Sequence, residues 1–163
     1  MSDIFIRYAA PADFDAIVAL NEAAVQHTSA MDVQRLQNLH ALSAYHKVAT
    51  VDGKVAAFLL AMRENAPYPN DNYGFFAARY ARFLYVDRIV VDPSCAGLKL
   101  GTLLYRDLFD YARAQAVPVI TCEYNIEPPN EPSRRFHERF GFSEVGTQWL
   151  DGGRKRVSLQ AAE

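Results

Sequence analysis

Two carboxylates and a glycine-bearing loop are the parts of this sequence best suited to chemistry. Asp87 lies in Tyr85-Val86-Asp87-Arg88-Ile89-Val90-Val91, whose β-branched run suits a strand covered on both faces. Alternation along such a strand puts Asp87 on the face of Tyr85, Ile89 and Val91, where a carboxylate is costly unless paired or used. An ion pair with Arg88 or Arg82 is the structural alternative to a base at this position. Glu123 ends the following strand, Pro118 to Glu123. Two carboxylates brought close together push one toward the range in which it accepts a proton. Between these strands, Asp92-Pro93 supplies turn chemistry, a loop carries Gly97 and Gly101, and a helical stripe of Leu103, Leu104, Leu108, Tyr111 and Ala112 follows. The loop therefore opens into a helix N-terminus, where unpaired N–H groups and the helix dipole favour an anion such as phosphate.

The elements that must hold these residues can be read in order. Ile4 to Tyr8 is a strand, and Pro11-Ala12-Asp13 opens a helix to about Gln26 whose stripe is Phe14, Ile17, Val18, Leu20 and Ala24. A polar break from His27 to Met31 leads to a helix from Val33 to Ala44. His46–Thr50 and Lys54–Met62 flank Asp52-Gly53, a strong two-residue hairpin signal. Residues 64–74 are rich in turn formers, and Phe75 to Arg82 reads as a short helix or turn. Its aromatics argue against disorder; they suit an acceptor pocket, a homodimer contact or a patch tucked onto the core. A short helix follows Asn130 as its cap, with Pro132 in its first turn and Gly141 at its exit. Phe142–Leu150 and Arg154–Leu159 close the chain as a hairpin around Asp151-Gly152-Gly153.

Length and composition set the outer limits. At 163 residues, 50% hydrophobic and 12% aromatic, residues 1–163 read as a single domain with a sizeable core. A formal charge of −2 and a pI near 6.1 give no basic field for nucleic acid. Cys95 and Cys122 fit neither a metal-ligand nor a disulfide pattern and read as free thiols of a reducing cytosol. The N-terminal stretch has no signal-like apolar core and no run is long enough to span a membrane, so the expectation is a cytoplasmic protein without metal or membrane.

The loop Ala96-Gly97-Leu98-Lys99-Leu100-Gly101 and the block Asn130, Ser133, His137, Gly141, Phe142 together resemble the GNAT superfamily of acetyl-CoA-dependent N-acetyltransferases. There the loop reads Gln/Arg-x-x-Gly-x-Gly/Ala and the block Asn-x-x-Ala/Ser, then Tyr, then Gly-Phe. Ala96 stands in the Gln/Arg slot, Lys99 in the middle-glycine slot, and His137 in the tyrosine slot. The resemblance implies a mixed α/β sheet of order β-α-α-β-β-β-α-β-α-β-β in one domain, with central parallel strands that splay around the pantetheine arm of coenzyme A. It implies cofactor contacts from Ile89, Val90 and Val91, from Ala96 through Thr102 (Gly97, Leu98, Lys99, Leu100 and Gly101 between), and from Asn130 and Ser133. The strand backbone near Ile89 or Val90 would supply an oxyanion donor.

Transfer of an acetyl group to an amine also needs a base for the ammonium and an acid for the leaving thiolate. Asp87 is the first candidate base and Glu123 the second, with His137 the acid unless it only bonds a neighbouring carbonyl. Tyr73, Phe76, Tyr80 and Tyr85 are the expected acceptor contacts. The acceptor itself, a small molecule or a peptide amine, is not written in these residues. A second class of function is a coenzyme A-binding regulatory or interaction module on the same fold, with little turnover because Ala96 and Lys99 replace the loop residues; retention of both Asp87 and His137 favours the enzyme.

Overall fold

The computed structural model describes residues 2–25 and 28–163. Seven strands hydrogen-bond in the order β1-β2-β3-β4-β5-β7-β6: β1 Ile4–Tyr8, β2 Tyr45–Val51, β3 Lys54–Arg63, β4 Leu84–Val91, β5 Ile120–Glu127, β6 Ser143–Leu150 and β7 Lys155–Ala162. The helices are α1 Phe14–Ala23, α2 Val33–Leu42, α3 Asp71–Arg79, α4 Leu100–Ala114 and α5 Glu131–Arg139. The chain has the expected mixed α/β class, and its element order differs from the expected one by α3, inserted between β3 and β4. Antiparallel pairing joins β1 to β2, β2 to β3, β5 to β7 and β6 to β7. The β4–β5 ladder is parallel and pairs Leu84 with Ile120 and Tyr85 with Thr121, at the starts of two eight-residue strands. The chain divides into two compact units, Met1–Met62 with Asp87–Tyr111, and Arg63–Val86 with Ala112–Glu163.

In the first unit, α1 buries Phe14, Ile17 and Asn21, one residue per turn on a single face. The last of these is polar and satisfied: Asn21 donates to the Ser29 carbonyl at 2.9 Å and accepts from Arg88 at 3.1 Å. The helix ends at Ala23, with Ala24 as its C-cap donating to the Asn21 carbonyl, short of the expected end; Gln26 itself, and His27 of the break after it, lie outside the described residues. Asp32 caps α2 by accepting from the Arg35 N–H at 2.7 Å. The Asp52-Gly53 turn has both residues at positive φ, +50° and +83°, as a two-residue hairpin loop demands.

In the second unit, the region read as turn-rich contains a longer helix than expected. Asn70 accepts from the Tyr73 N–H at 3.0 Å and Asp71 occupies the first turn, so α3 starts at Asp71, four residues before the expected Phe75. The cap and the acidic first turn outweigh the turn-forming composition. Tyr73 and Phe76 are buried on this helix, which tucks much of the aromatic segment onto the core. Strand β5 continues to Glu127, past the expected end at Glu123, because its ladder with β7 continues to Glu127 opposite Arg156 across a register shift. Among the described residues, no helix is long and apolar enough to cross a membrane.

Candidate active site

The first unit carries the loop. Asp92 ends β4, accepts from both the N–H and the hydroxyl of Ser94 at 2.9 Å, and donates its own N–H to the Ala56 carbonyl at 2.8 Å. A 3-10 turn spans Pro93–Leu98, and Lys99 follows at φ +57°, ψ 40°, in the left-handed region. Lys99 thus adopts the conformation a glycine would favour in that slot, while Gly97 has an ordinary φ and open space where a Cβ would sit. The Lys99 carbonyl accepts from the Leu103 N–H at 3.1 Å, so α4 begins directly beneath it. Leu100, Gly101 and Thr102 form the first turn of this fifteen-residue helix, whose N–H groups have no intrahelical acceptor.

Asp87 and Arg88 lie one residue apart on β4 and pair at 2.8 Å, with side chains only 3% and 4% exposed. Arg88 also donates to Asn21, to the Ser29 carbonyl and to the Ser29 hydroxyl. This is the ion-pair alternative weighed for Asp87, extended into a network that ties β4 to α1. Ile89, Val90 and Val91 complete the strand ahead of the loop.

The second unit holds Glu123. The Tyr85 hydroxyl reaches both of its carboxylate oxygens, at 2.8 and 3.0 Å, and Asn72 Nδ2 donates to Oε1 at 2.9 Å. Tyr85 is fully buried, with Tyr73 and Phe76 ring centroids 5.7 and 5.9 Å away. Tyr80 stacks on Phe76 at 6.5 Å. The four aromatics expected at the acceptor are therefore one cluster beside Glu123. Tyr73 has a structural task within it, because its hydroxyl donates to the Arg63 carbonyl at 2.8 Å and accepts from the Ala66 N–H at 2.9 Å. Asn72 is a partner of Glu123 that sequence reasoning missed: its neighbourhood of Pro and Asn concealed that it falls on the first turn of a helix.

The α5 block also lies in the second unit. Asn130 caps the helix, accepting from the Ser133 N–H at 3.4 Å. His137 is buried, and its Nδ1 sits 2.7 Å from the Ser133 carbonyl oxygen. A carbonyl only accepts, so Nδ1 carries the proton. Burial pushes the His137 pKa down, opposed by that hydrogen bond, which favours the neutral ring with its lone pair on Nε2. The bond to Ser133 is the carbonyl bond weighed as the alternative role for His137.

A family model for the acetyltransferase (GNAT) family matches residues 13–142. The chain belongs to the acetyltransferase (GNAT) family. It is 42% identical to a phosphinothricin N-acetyltransferase of Streptomyces coelicolor over 67 residues, which is 41% of this chain and 37% of that relative's length. Among solved structures, Ard1 from Thermoplasma volcanium aligns with a TM-score of 0.79 at 16% identity, covering 97% of this chain and 95% of that one. The yncA protein from Salmonella typhimurium, solved with acetyl-CoA, aligns at 0.73 and 23% identity, covering 99% and 94%.

Proposed function

We propose that this GNAT chain transfers the acetyl group of acetyl-CoA to a primary amine, with Glu123 as the base. The observation that carries the choice of base is the Tyr85 and Asn72 clamp on Glu123, which fixes a carboxylate within an aromatic cluster. Asp87 is instead committed to Arg88. Bound acetyl-CoA supplies an activated thioester. The first-turn N–H groups of Leu100, Gly101 and Thr102 hold its pyrophosphate, and the Lys99 ammonium adds a charge-assisted contact. Ala96 to Leu98 shape the approach. The backbone of Ile89, Val90 and Val91 offers N–H donors to the thioester oxygen.

In the second unit, Asn130 and Ser133 contact the pantetheine amides while Asn130 keeps its capping bond. His137 acts through position, holding α5 by its bond to Ser133. Glu123 takes one proton from the acceptor ammonium, directly or through water, and leaves a neutral amine able to attack. As the C–N bond forms and the C–S bond breaks, the second proton lost by the nitrogen balances the one that the departing thiolate takes up through water. Tyr80 gives the acceptor an aromatic wall, backed by the fully buried Phe76 on which it stacks. Tyr85 holds the base, and Tyr73 holds the segment that carries α3.

The test is release of coenzyme A thiol from acetyl-CoA with a panel of amines that includes phosphinothricin, 2-phenylethylamine and short peptides. Amine-dependent release with a matching yield of N-acetyl product is expected from the wild type. Strong acetyl-CoA binding with no amine-dependent release would instead favour the binding-module reading.

A further inference from the structure

The Asn72 side chain is half satisfied. Its residue is 5% exposed, its Nδ2 donates to Glu123, and its Oδ1 is buried with no hydrogen-bond partner. The orientation of the amide is fixed by chemistry, since a carboxylate accepts only and therefore faces the NH2 group. A planar amide keeps its oxygen beside its nitrogen, so the orphan acceptor lies close to the proposed base. A second orphan lies on the same strand face: the fully buried Thr121 has an unpartnered Oγ1 and sits two residues before Glu123 on β5. Buried polar atoms without partners are rare in folded proteins and call for an explanation. Here both flank a carboxylate that is already clamped.

Resting on the acetyl-transfer reading above, we infer that Asn72 Oδ1 accepts an N–H of the incoming amine and is the residue that selects a primary amine over a hydroxyl acceptor. A primary ammonium that yields one proton to Glu123 keeps two N–H bonds. One of them satisfies Asn72 Oδ1 and turns the nitrogen lone pair away from both residues, free for the acetyl carbon. An alcohol that yields its only proton to Glu123 has none left, so Asn72 Oδ1 stays buried and unpaired. A site built around a hydrogen bond discriminates strongly against the analogue that cannot make it.

The experiment compares acetyl-CoA-dependent turnover of 2-phenylethylamine and phosphinothricin with the competitive inhibition constants of their hydroxyl analogues, in wild type, Asn72→Leu and Asn72→Asp. Asn72→Leu is expected to lower kcat/KM for the amine by about 10- to 1,000-fold while the hydroxyl analogue binds as well or better. Asn72→Asp keeps an acceptor oxygen and loses the donor to Glu123; it should retain most of the amine preference even where kcat falls. If Asn72 merely props Glu123, both variants lose the amine and the preference alike, and the inference is overturned. An unchanged ratio in Asn72→Leu overturns it as well. If Asn72→Leu does not fold, the near-isosteric Asn72→Asp decides alone, because loss of its amine preference contradicts the assignment. Wild-type inactivity on every amine of the panel would overturn the parent reading together with this one.

Discussion

At the scale of single residues, Lys99 and the two carboxylates make separable predictions. Lys99 holds φ +57°, a conformation that costs a residue with a Cβ roughly 1 kcal/mol relative to glycine. Lys99→Gly should therefore raise the melting temperature slightly while weakening acetyl-CoA binding, and calorimetric titration should find the loss greatest at low salt, where a lysine–phosphate contact is least screened. Weaker binding at all salt concentrations alike would argue against the charge contact. Asp87→Asn removes one partner of a buried ion pair and leaves Arg88 with its hydrogen bonds to Asn21 and Ser29 alone. A loss of roughly 3 kcal/mol in denaturant unfolding is expected. Glu123→Gln keeps the shape and an acceptor oxygen, so it should cost much less stability and far more activity. Equal losses of stability in the two variants would contradict the division of labour between a structural and a chemical carboxylate.

At the scale of elements, α2 meets β2 through a pair of histidines, His40 and His46, whose Nδ1 atoms are 2.8 Å apart. One must donate and the other accept. Phe14 packs edge-on to His40 at 5.2 Å, and Asp13 near the start of α1 favours charge on His46, but burial dominates and His40 adds to it, so the His46 pKa drops from 6.5 to about 4. The folded ring then stays neutral where the unfolded one takes up a proton. Stability is complete above pH 6.5 and declines as the pH falls toward 4, by up to about 3 kcal/mol across that window. Urea unfolding at a series of pH values should follow this slope, and His46→Leu should flatten it; a flat wild-type profile would contradict the assignment. Such pairings are not legible in sequence, because α2 and β2 declare their own periods without declaring which side chains meet. What was legible is local: the Asp52-Gly53 hairpin, the Asn130 cap and the strand of β4 each follow from neighbouring residues. The start of α3 was also local, in Asn70-Asp71, but the surrounding Pro and Asn suggested an irregular loop. Strand β5 overran its expected end because the ladder with β7, a partner some thirty residues away, continues it.

At the scale of the whole chain, the match to the acetyltransferase (GNAT) family runs over residues 13–142, from the start of α1 through the loop, α4 and α5, and Lys99 stands in that loop where the family has a glycine. Lys99 takes the left-handed turn that a glycine favours, and the proposed base is Glu123 rather than Asp87, whose carboxylate pairs with Arg88. If the loop and α4 hold the pyrophosphate, acetyl-CoA at a hundred times its Kd should stabilise the protein by about 2.7 kcal/mol, and Gly101→Val should abolish the shift by crowding the first turn of α4. The base assignment is tested most directly by the pH profile of kcat/KM for wild type and Glu123→Gln with one acetylated amine. The account predicts a deficit of roughly 10² to 10⁴ near neutral pH that narrows as the pH approaches the amine's own pKa, where solution supplies the neutral nucleophile. A Glu123→Gln profile that runs parallel to the wild type at every pH, or coincides with it, would contradict it.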